Sequence, residues 1–444
     1  MKRFLSIVLA MVMLLGILCG CGSKGGDNGV TKVRVWTSDA GGKSVWESLV
    51  KEFNETTGKE KGIEIVWETR SDFNTSIEVA RKNNQLPEIA SVSDVAGYAK
   101  TGDIIPLKDM PGGLEFLEEY NPPLTQGRNI IGDVVYNVPS SSNVPALVYN
   151  KDLFKAAGLV DENGEAKAPE TWEEVREYAK KLTDTKKQVY GIGLPLKDYG
   201  VVGGYMLRSH FAATFGYIDK YDFENIEVNF DNFKYPFELL LGFKEDKSHF
   251  PGAESLDNDT MRAYFAEGKI GMFLGLSWDV GVLTTQFLAN CDWGVAPVPV
   301  AEGYERLPNW RDISGSYTIC KSANDIDKEK VMEVYKFIFS LNTRKTIYEN
   351  GIRIPCKKDA IEVADTSKIP PQFSDFANLL DEEFEVIVSP SLKLEGYKWD
   401  EAITKVWAGD VSVDDAVNDL SKRYTEAFKK GVEDGSIDPS YYLD

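Results

Sequence analysis

Val30-Thr31-Lys32-Val33-Arg34-Val35-Trp36 alternates apolar and polar residues, the period of a half-buried strand. Downstream, between Ser44 and Thr56, the spacing lengthens: Val45, Leu49, Val50 and Phe53 recur at helical intervals, and Gly58 supplies a stop. Ile63 to Glu68 reads as a second strand, Asn74 to Asn83 as a second helix, and Glu88 to Val92 as a short apolar strand closing on Ser93-Asp94. Strands and helices in alternation predict an α/β fold with a mostly parallel sheet. Its functional residues are expected beyond the carboxyl ends of the strands.

From Val134 the texture changes. Val135 to Pro139 and Ala146 to Asn150 are extended segments flanking the polar run Ser140 to Pro145, which suits a crossover between two lobes. Asp152 to Ala157 predicts a short helix. Thr171 with Glu174 makes a capping box, because a threonine oxygen at the helix start and a glutamate three residues on satisfy each other's backbone N–H groups. Val189 to Leu194, Lys269 to Leu274 and Trp293 to Val298 read as strands, and Lys328 to Leu341 and Ser412 to Lys430 as amphipathic helices.

Upstream of the first strand, Lys2 and Arg3 lead into the apolar run Phe4 to Leu18 and then Leu18-Cys19-Gly20-Cys21, the layout of a secretory signal. Residues 1–20 are expected to be removed, and residues 21–30, glycine-rich and polar, to form a flexible tether. The apolar run is shorter than the roughly 20 residues of a spanning helix. About 420 residues then remain, enough for two or three lobes with their own cores. The net charge of −20 disfavours nucleic acid and anionic lipid as partners and leads one to expect a neutral ligand. Apart from Cys19 and Cys21, the cysteines are Cys291, Cys320 and Cys356, an odd number that cannot all pair; they read as small apolar residues, with a single bridge among them left open.

Several motifs in this order resemble the extracellular solute-binding proteins of ABC importers, of the maltodextrin- and multiple-sugar-binding type. They are Gln85-Leu86-Pro87-Glu88-Ile89, Gly102 to Leu107, Tyr149 to Phe154, Pro169 to Glu174, Phe265 to Met272 with Trp278, Trp293 to Pro297, and Tyr348 to Pro355. The resemblance implies a two-lobed periplasmic-binding-protein-like fold with a multi-strand hinge and a ligand cleft between the lobes. It places one lobe at residues 31–143 plus 316–354 and the other at 144–315 plus 355–444. It also implies that Cys21 lies in a lipobox and is acylated, anchoring a monomer at the outer face of the cell membrane of a Gram-positive bacterium. The expected partners are a carbohydrate, the permease subunits and the membrane through the lipid. No cofactor is expected, and no enzymatic activity. A surface glycan-degrading enzyme and a sensory or adhesive protein on the same fold are the alternatives.

A sugar offers apolar C–H faces and a rim of hydroxyls, so its site needs aromatic platforms beside charged or amide groups. Trp278, in Gly275-Leu276-Ser277-Trp278-Asp279 after a strand, is where the resembling proteins stack a tryptophan. Trp36, Ser38 and Asp39 end the first strand at its carboxyl edge; Trp36 suits the core equally well. Ser93 and Asp94 occupy the same edge, with Asp94 also placed to cap a helix. Asp198 and Tyr199 follow a strand in a loop with Gly203 and Gly204. Trp310 and Arg311 precede the second crossover, where Arg311 suits vicinal hydroxyls or an acidic sugar. Tyr397 completes the candidate set. Ser140 to Asn143 and Ser314 to Ser316 fall at the crossovers, as ligand contacts or as hinge.

Other chemistries fit poorly. His210 and His249 lie apart without metal spacing. Gly41-Gly42-Lys43-Ser44 lacks the first glycine of a phosphate loop, since Thr37 stands there. Asp161-Glu162-Asn163-Gly164 lacks the closing glutamate of a calcium loop.

Overall fold

The computed structural model describes residues 29–39, 42–215, 220–307, 312–380, 389–390 and 392–442. The signal, Cys21, Trp310 and Arg311 lie outside the described residues.

The opening alternation becomes the strand Thr31–Thr37, with Val33 and Val35 fully buried. It pairs in parallel along its whole length with Ile63–Thr69 and on its other edge with Ile89–Ala90. Two segments from later in the chain complete the five-stranded sheet: Tyr317–Ile319 runs antiparallel to both Ile89–Ala90 and Asn137–Val138. The sheet is therefore mixed, not mostly parallel. The first strands are joined by crossover helices, whereas Tyr317–Ile319 arrives from the other lobe and enters in the opposite direction. Helices Lys43–Glu55 and Lys328–Ile338 cover one face through Trp46, Leu49, Phe53, Val331 and Tyr335. Helix Phe73–Lys82 covers the other face, where Phe73 and Ile77 pack on Trp36.

The second lobe holds the sheet Trp293–Ala296, Pro145–Asn150, Ile270–Leu276 and Tyr190–Ile192, in that order. Strand Ile270–Leu276 is buried throughout, between the helix layers of Trp172–Leu182, Lys234–Glu245 and Trp399–Ala408 on one face and Asn258–Ala266 and Pro371–Asn378 on the other. Thr171 and Glu174 form the reciprocal cap of helix Trp172–Leu182, with the Glu174 amide donating to Thr171 Oγ1 at 3.2 Å.

A third sheet links the lobes. Ser141–Asn143 is its centre, flanked antiparallel by Asp312–Ser314 and Ile354–Pro355. The helix expected from Lys328 to Leu341 ends at Ile338, because Ser340 caps a separate helix, Leu341–Glu349, by accepting from the Thr343 amide. That helix puts Ile347 into the first-lobe core and Tyr348 into the second-lobe core. Cys291, Cys320 and Cys356 are free thiols, the last two buried. No described helix is long and apolar enough to cross a membrane.

Candidate functional site

A cavity of about 360 Å³ opens where the carboxyl ends of the first-lobe strands meet the linking sheet. Thr37, Ser38 and Asp39 reach it from the first strand, and Ser91, Ser93 and Val95 from the third. The linking sheet and its flanks add Ser140, Ser141, Ser314 and Ser316, and Arg128, Arg344 and Arg353 complete the polar wall.

Asp39 is the organising carboxylate. It accepts from the Gly42 amide at 3.3 Å, from Trp46 Nε1 at 3.4 Å and from Arg353 Nη2 at 3.1 Å. A Cβ at position 42 would sit 2.8 Å from an Asp39 carboxylate oxygen, so glycine there leaves the carboxylate its place. Arg353 Nη1 reaches Asn143 Oδ1 at 3.4 Å, so one guanidinium joins the end of the first strand to the linking sheet. Arg128 Nη1 donates to the carbonyl of Ile313 on that sheet at 2.9 Å. Arg344 is buried and held in a fork by Asp359 at 2.5 and 2.8 Å, a pairing that keeps the Asp359 carboxyl below its ordinary range. Tyr317 closes the floor. Burial pushes its phenol well up, so it stays protonated and donates to Thr37 Oγ1 at 3.2 Å, while Thr37 in turn accepts from the Asp39 amide.

The serines sit close because Gly315 allows it. Its φ of +67° suits glycine, and a Cβ there would lie 2.2 Å from Ser140 Oγ. Ser140 Oγ donates to the Gly315 carbonyl at 3.0 Å, and the hydroxyls of Ser141 and Ser314 are 3.1 Å apart.

Of the sequence candidates, the structure brings Ser38, Asp39 and Ser93 together in this cavity. Trp36 goes elsewhere. Strand alternation turns its ring to the opposite face of the sheet, where it packs on Phe73 and Ile77, carries Arg70 at 3.6 Å over its plane, and bonds Glu68 through Nε1. Asp94 is spent on a cap, accepting from the Gly97 amide at 3.0 Å at the start of helix Val95–Lys100. Tyr397 packs beside the last helix, with Arg423 at 4.5 Å and Lys405 at 5.2 Å over its ring. Trp278 is half-buried at the end of strand Ile270–Leu276, one residue beyond Ser277, whose amide and hydroxyl bond Val144 beside the linking sheet. Asp198 accepts from the Asn258 amide at 2.9 Å, and Tyr199 next to it is exposed at the start of a helix that winds into a π-helical stretch, Val202–Leu207. Neither touches the cavity of the first lobe. Arg128, Arg344 and Arg353 are the charged lining residues that sequence reading did not single out. The one available signal for Arg353 was its place inside the Tyr348 to Pro355 motif.

Among the described lining residues Asp39 is the sole carboxylate, whereas paired-carboxylate hydrolysis needs two. Among the described residues no group of three or more His, Cys, Asp or Glu is arranged to hold a metal. His210 is buried against Trp172 and Tyr235, and His249 meets the edge of Trp407 at 4.9 Å.

Comparison with known proteins gives this geometry a context. The model of the family described as bacterial extracellular solute-binding protein matches residues 37–341. The sn-glycerol-3-phosphate-binding periplasmic protein of Brucella abortus is 32% identical over 331 residues, covering 71% of this chain and 72% of that protein. A maltotriose-binding protein of Pyrococcus abyssi is 23% identical over 319 residues, covering 70% of this chain and 62% of that protein's length. The GacH receptor of Streptomyces glaucescens, studied unliganded and with acarbose, shares the fold with a TM-score of 0.67 at 19% identity, over 90% of this chain and 99% of the other.

Proposed function

The chain belongs to the bacterial extracellular solute-binding proteins, and from that premise we propose that it captures a carbohydrate between its lobes and delivers it to an ABC permease. The observation that carries this reading is the hydroxyl- and guanidinium-lined cavity against the linking sheet. Hydroxyls, an amide-anchored arginine and one carboxylate offer the donors and acceptors that a polyhydroxylated solute needs when it leaves water. The named ligands of the two relatives, maltotriose and sn-glycerol 3-phosphate, are both polyhydroxylated.

In this reading the lobes comprise residues 31–143 plus 316–354 and 144–315 plus 355–444, and the three short linking strands are the hinge. Closure brings Trp278, Asp198 and Tyr199 toward Ser38, Asp39 and Ser93. A solute drives closure because it contacts both walls only in the closed form, which gives it differential affinity for that state. Signal removal before Cys21, acylation of that cysteine and the tether through residue 30 hold the receptor as a monomer on the outer face of a Gram-positive cell membrane. Two lipid chains suffice for such an anchor, at about 0.8 kcal/mol per buried methylene. Tethering raises the local concentration at the permease.

Calorimetry against a carbohydrate panel, paired with small-angle scattering, tests the reading. A bound sugar that shrinks the radius of gyration, and that loses affinity in Trp278→Ala, is the expected result. Binding unchanged by Trp278→Ala removes that residue from the site. Turnover of the sugar would replace the receptor by a hydrolase.

A further inference from the structure

We infer that Tyr442 is a clasp between the lobes, which holds them in the separated arrangement and thereby limits how tightly the solute is bound. This rests on the receptor reading above and adds a control on its closure. In the arrangement described, Trp278, Asp198 and Tyr199 do not line the first-lobe cavity. A contact that joins the lobes in that arrangement and is lost on closure lowers the population able to grip the solute, and the apparent affinity falls by the same factor.

Tyr442 is fastened to the second lobe. It ends the short helix Pro439–Tyr442, and Ile437 just upstream is buried in the second-lobe core, its amide donating to the Gly431 carbonyl at 2.9 Å. The Tyr442 ring lies flat on Phe223, with centroids 4.7 Å and planes 5° apart. Phe223 and Phe428 meet edge to face at 5.6 Å, and Phe428 is fully buried on the helix Val413–Glu433. A row of three aromatic rings thus runs outward from the second-lobe core, in the offset and edge-to-face geometries that such rings favour.

The far end of the Tyr442 ring reaches the first lobe. A Cβ on Gly127 would lie 3.7 Å from Tyr442 Oη, an ordinary van der Waals approach. Gly127, with φ of +76°, is the third residue of a turn closed by the Arg128 amide on the Thr125 carbonyl at 3.2 Å. That turn supplies Arg128 to the cavity wall, and Asn129 after it bonds Asn137 of the first-lobe sheet at 2.5 Å. Gly127 therefore moves with the first lobe and Tyr442 with the second, and they meet outside the three linking strands. A rotation about those strands that carries Trp278 to the cavity displaces this contact, because it lies off the pivot.

Single-molecule energy transfer on the purified chain tests this, with one dye on Lys108→Cys in the first lobe and one on Glu162→Cys in the second, both exposed positions. It reads lobe separation without any ligand. Tyr442→Ala is expected to raise the ligand-free population of the compact arrangement about threefold to tenfold. Tyr442→Phe, which keeps the stack and loses the hydroxyl that reaches Gly127, should raise it less, and Phe223→Leu, which removes the ring beneath Tyr442, should act in the same direction. Thermal melts show that the variants are folded. Calorimetry with maltotriose and with glycerol 3-phosphate gives a second readout: a probe that binds the native chain should bind Tyr442→Ala more tightly by the same factor, a gain that a merely structural tyrosine would not produce. The inference is overturned if the ligand-free lobe separation is unchanged or widens in Tyr442→Ala, or if a bound probe loses or keeps its affinity. Failure of both probes to bind the native chain counts against the receptor reading, while the ligand-free lobe separation still decides the clasp.

Discussion

Asp39 and Asp279 stand at corresponding places in the two lobes, each just past the carboxyl end of a core strand, and each ties down the loop that follows. Asp39 holds the Gly42 amide and Trp46, and Asp279 holds the Leu276 amide at 2.8 Å and Arg262. Their surroundings differ. The Asp39 side chain is 16% exposed and its arginine partner 29%, whereas the Asp279 and Arg262 side chains are 2% and 9% exposed. Two aspartates of similar local pattern therefore do different work. The sealed pair holds the second-lobe turn in shape. The open pair faces the cavity, where the proposed reading puts the solute.

The largest effect that would test this contrast is on the sealed side. Asp279→Ala leaves the Arg262 guanidinium buried without its main partner, and denaturant unfolding is expected to show a loss of about 3–5 kcal/mol. A loss as small as that of a surface pair would mean that Arg262 finds water on removal of its partner. Next, Asp39→Ala should cost about 1.5–3 kcal/mol of solute affinity by calorimetry, roughly tenfold to a hundredfold, while unfolding free energy falls much less than in Asp279→Ala. The reverse ranking would make Asp39 a structural residue. Asp94→Ala sharpens the first-lobe assignment, because its carboxylate is engaged by the Gly97 amide. A stability loss of about 1 kcal/mol with unchanged affinity is expected for a cap, and a large drop in affinity would return Asp94 to the site.

A third carboxylate extends the series to acid pH. Burial works to raise the Asp103 carboxyl, but bonds from Lys321, Thr101 and Arg81 outweigh it and hold the group down at about 2. Its folded value lies below its unfolded one, so the stabilisation is present above the unfolded value of 3.8 and is lost as pH falls toward about 2. The stability gap between the native chain and Asp103→Asn should shrink across that window and stay constant at neutral pH.

Much of the architecture was legible because strand and helix periods are local. The alternation from Val30 to Trp36, the capping box at Thr171 and the polar crossover at Ser140 each depend on neighbours a few residues apart. Ser38, Asp39 and Ser93 were legible as strand-end residues for the same reason. Trp36 shows the limit: its position at a strand end is local, but the face its ring takes follows from the pairing of the whole strand with helix Phe73–Lys82. The break at Ser340 was written in its capping hydroxyl, yet a continuous amphipathic pattern hid it.

By itself the sequence determined the α/β class, the alternation of elements in the first lobe and which residues stand at strand ends, because these depend on periodicity and short-range hydrogen bonding. Tertiary structure alone decided which strand-end carboxylate is sealed and which is open. It also decided that Arg353, 314 residues from Asp39 along the chain, completes the cavity wall. Burial and long-range ion pairs arise from how sheets and helices enclose space, and no local pattern of residues carries that information.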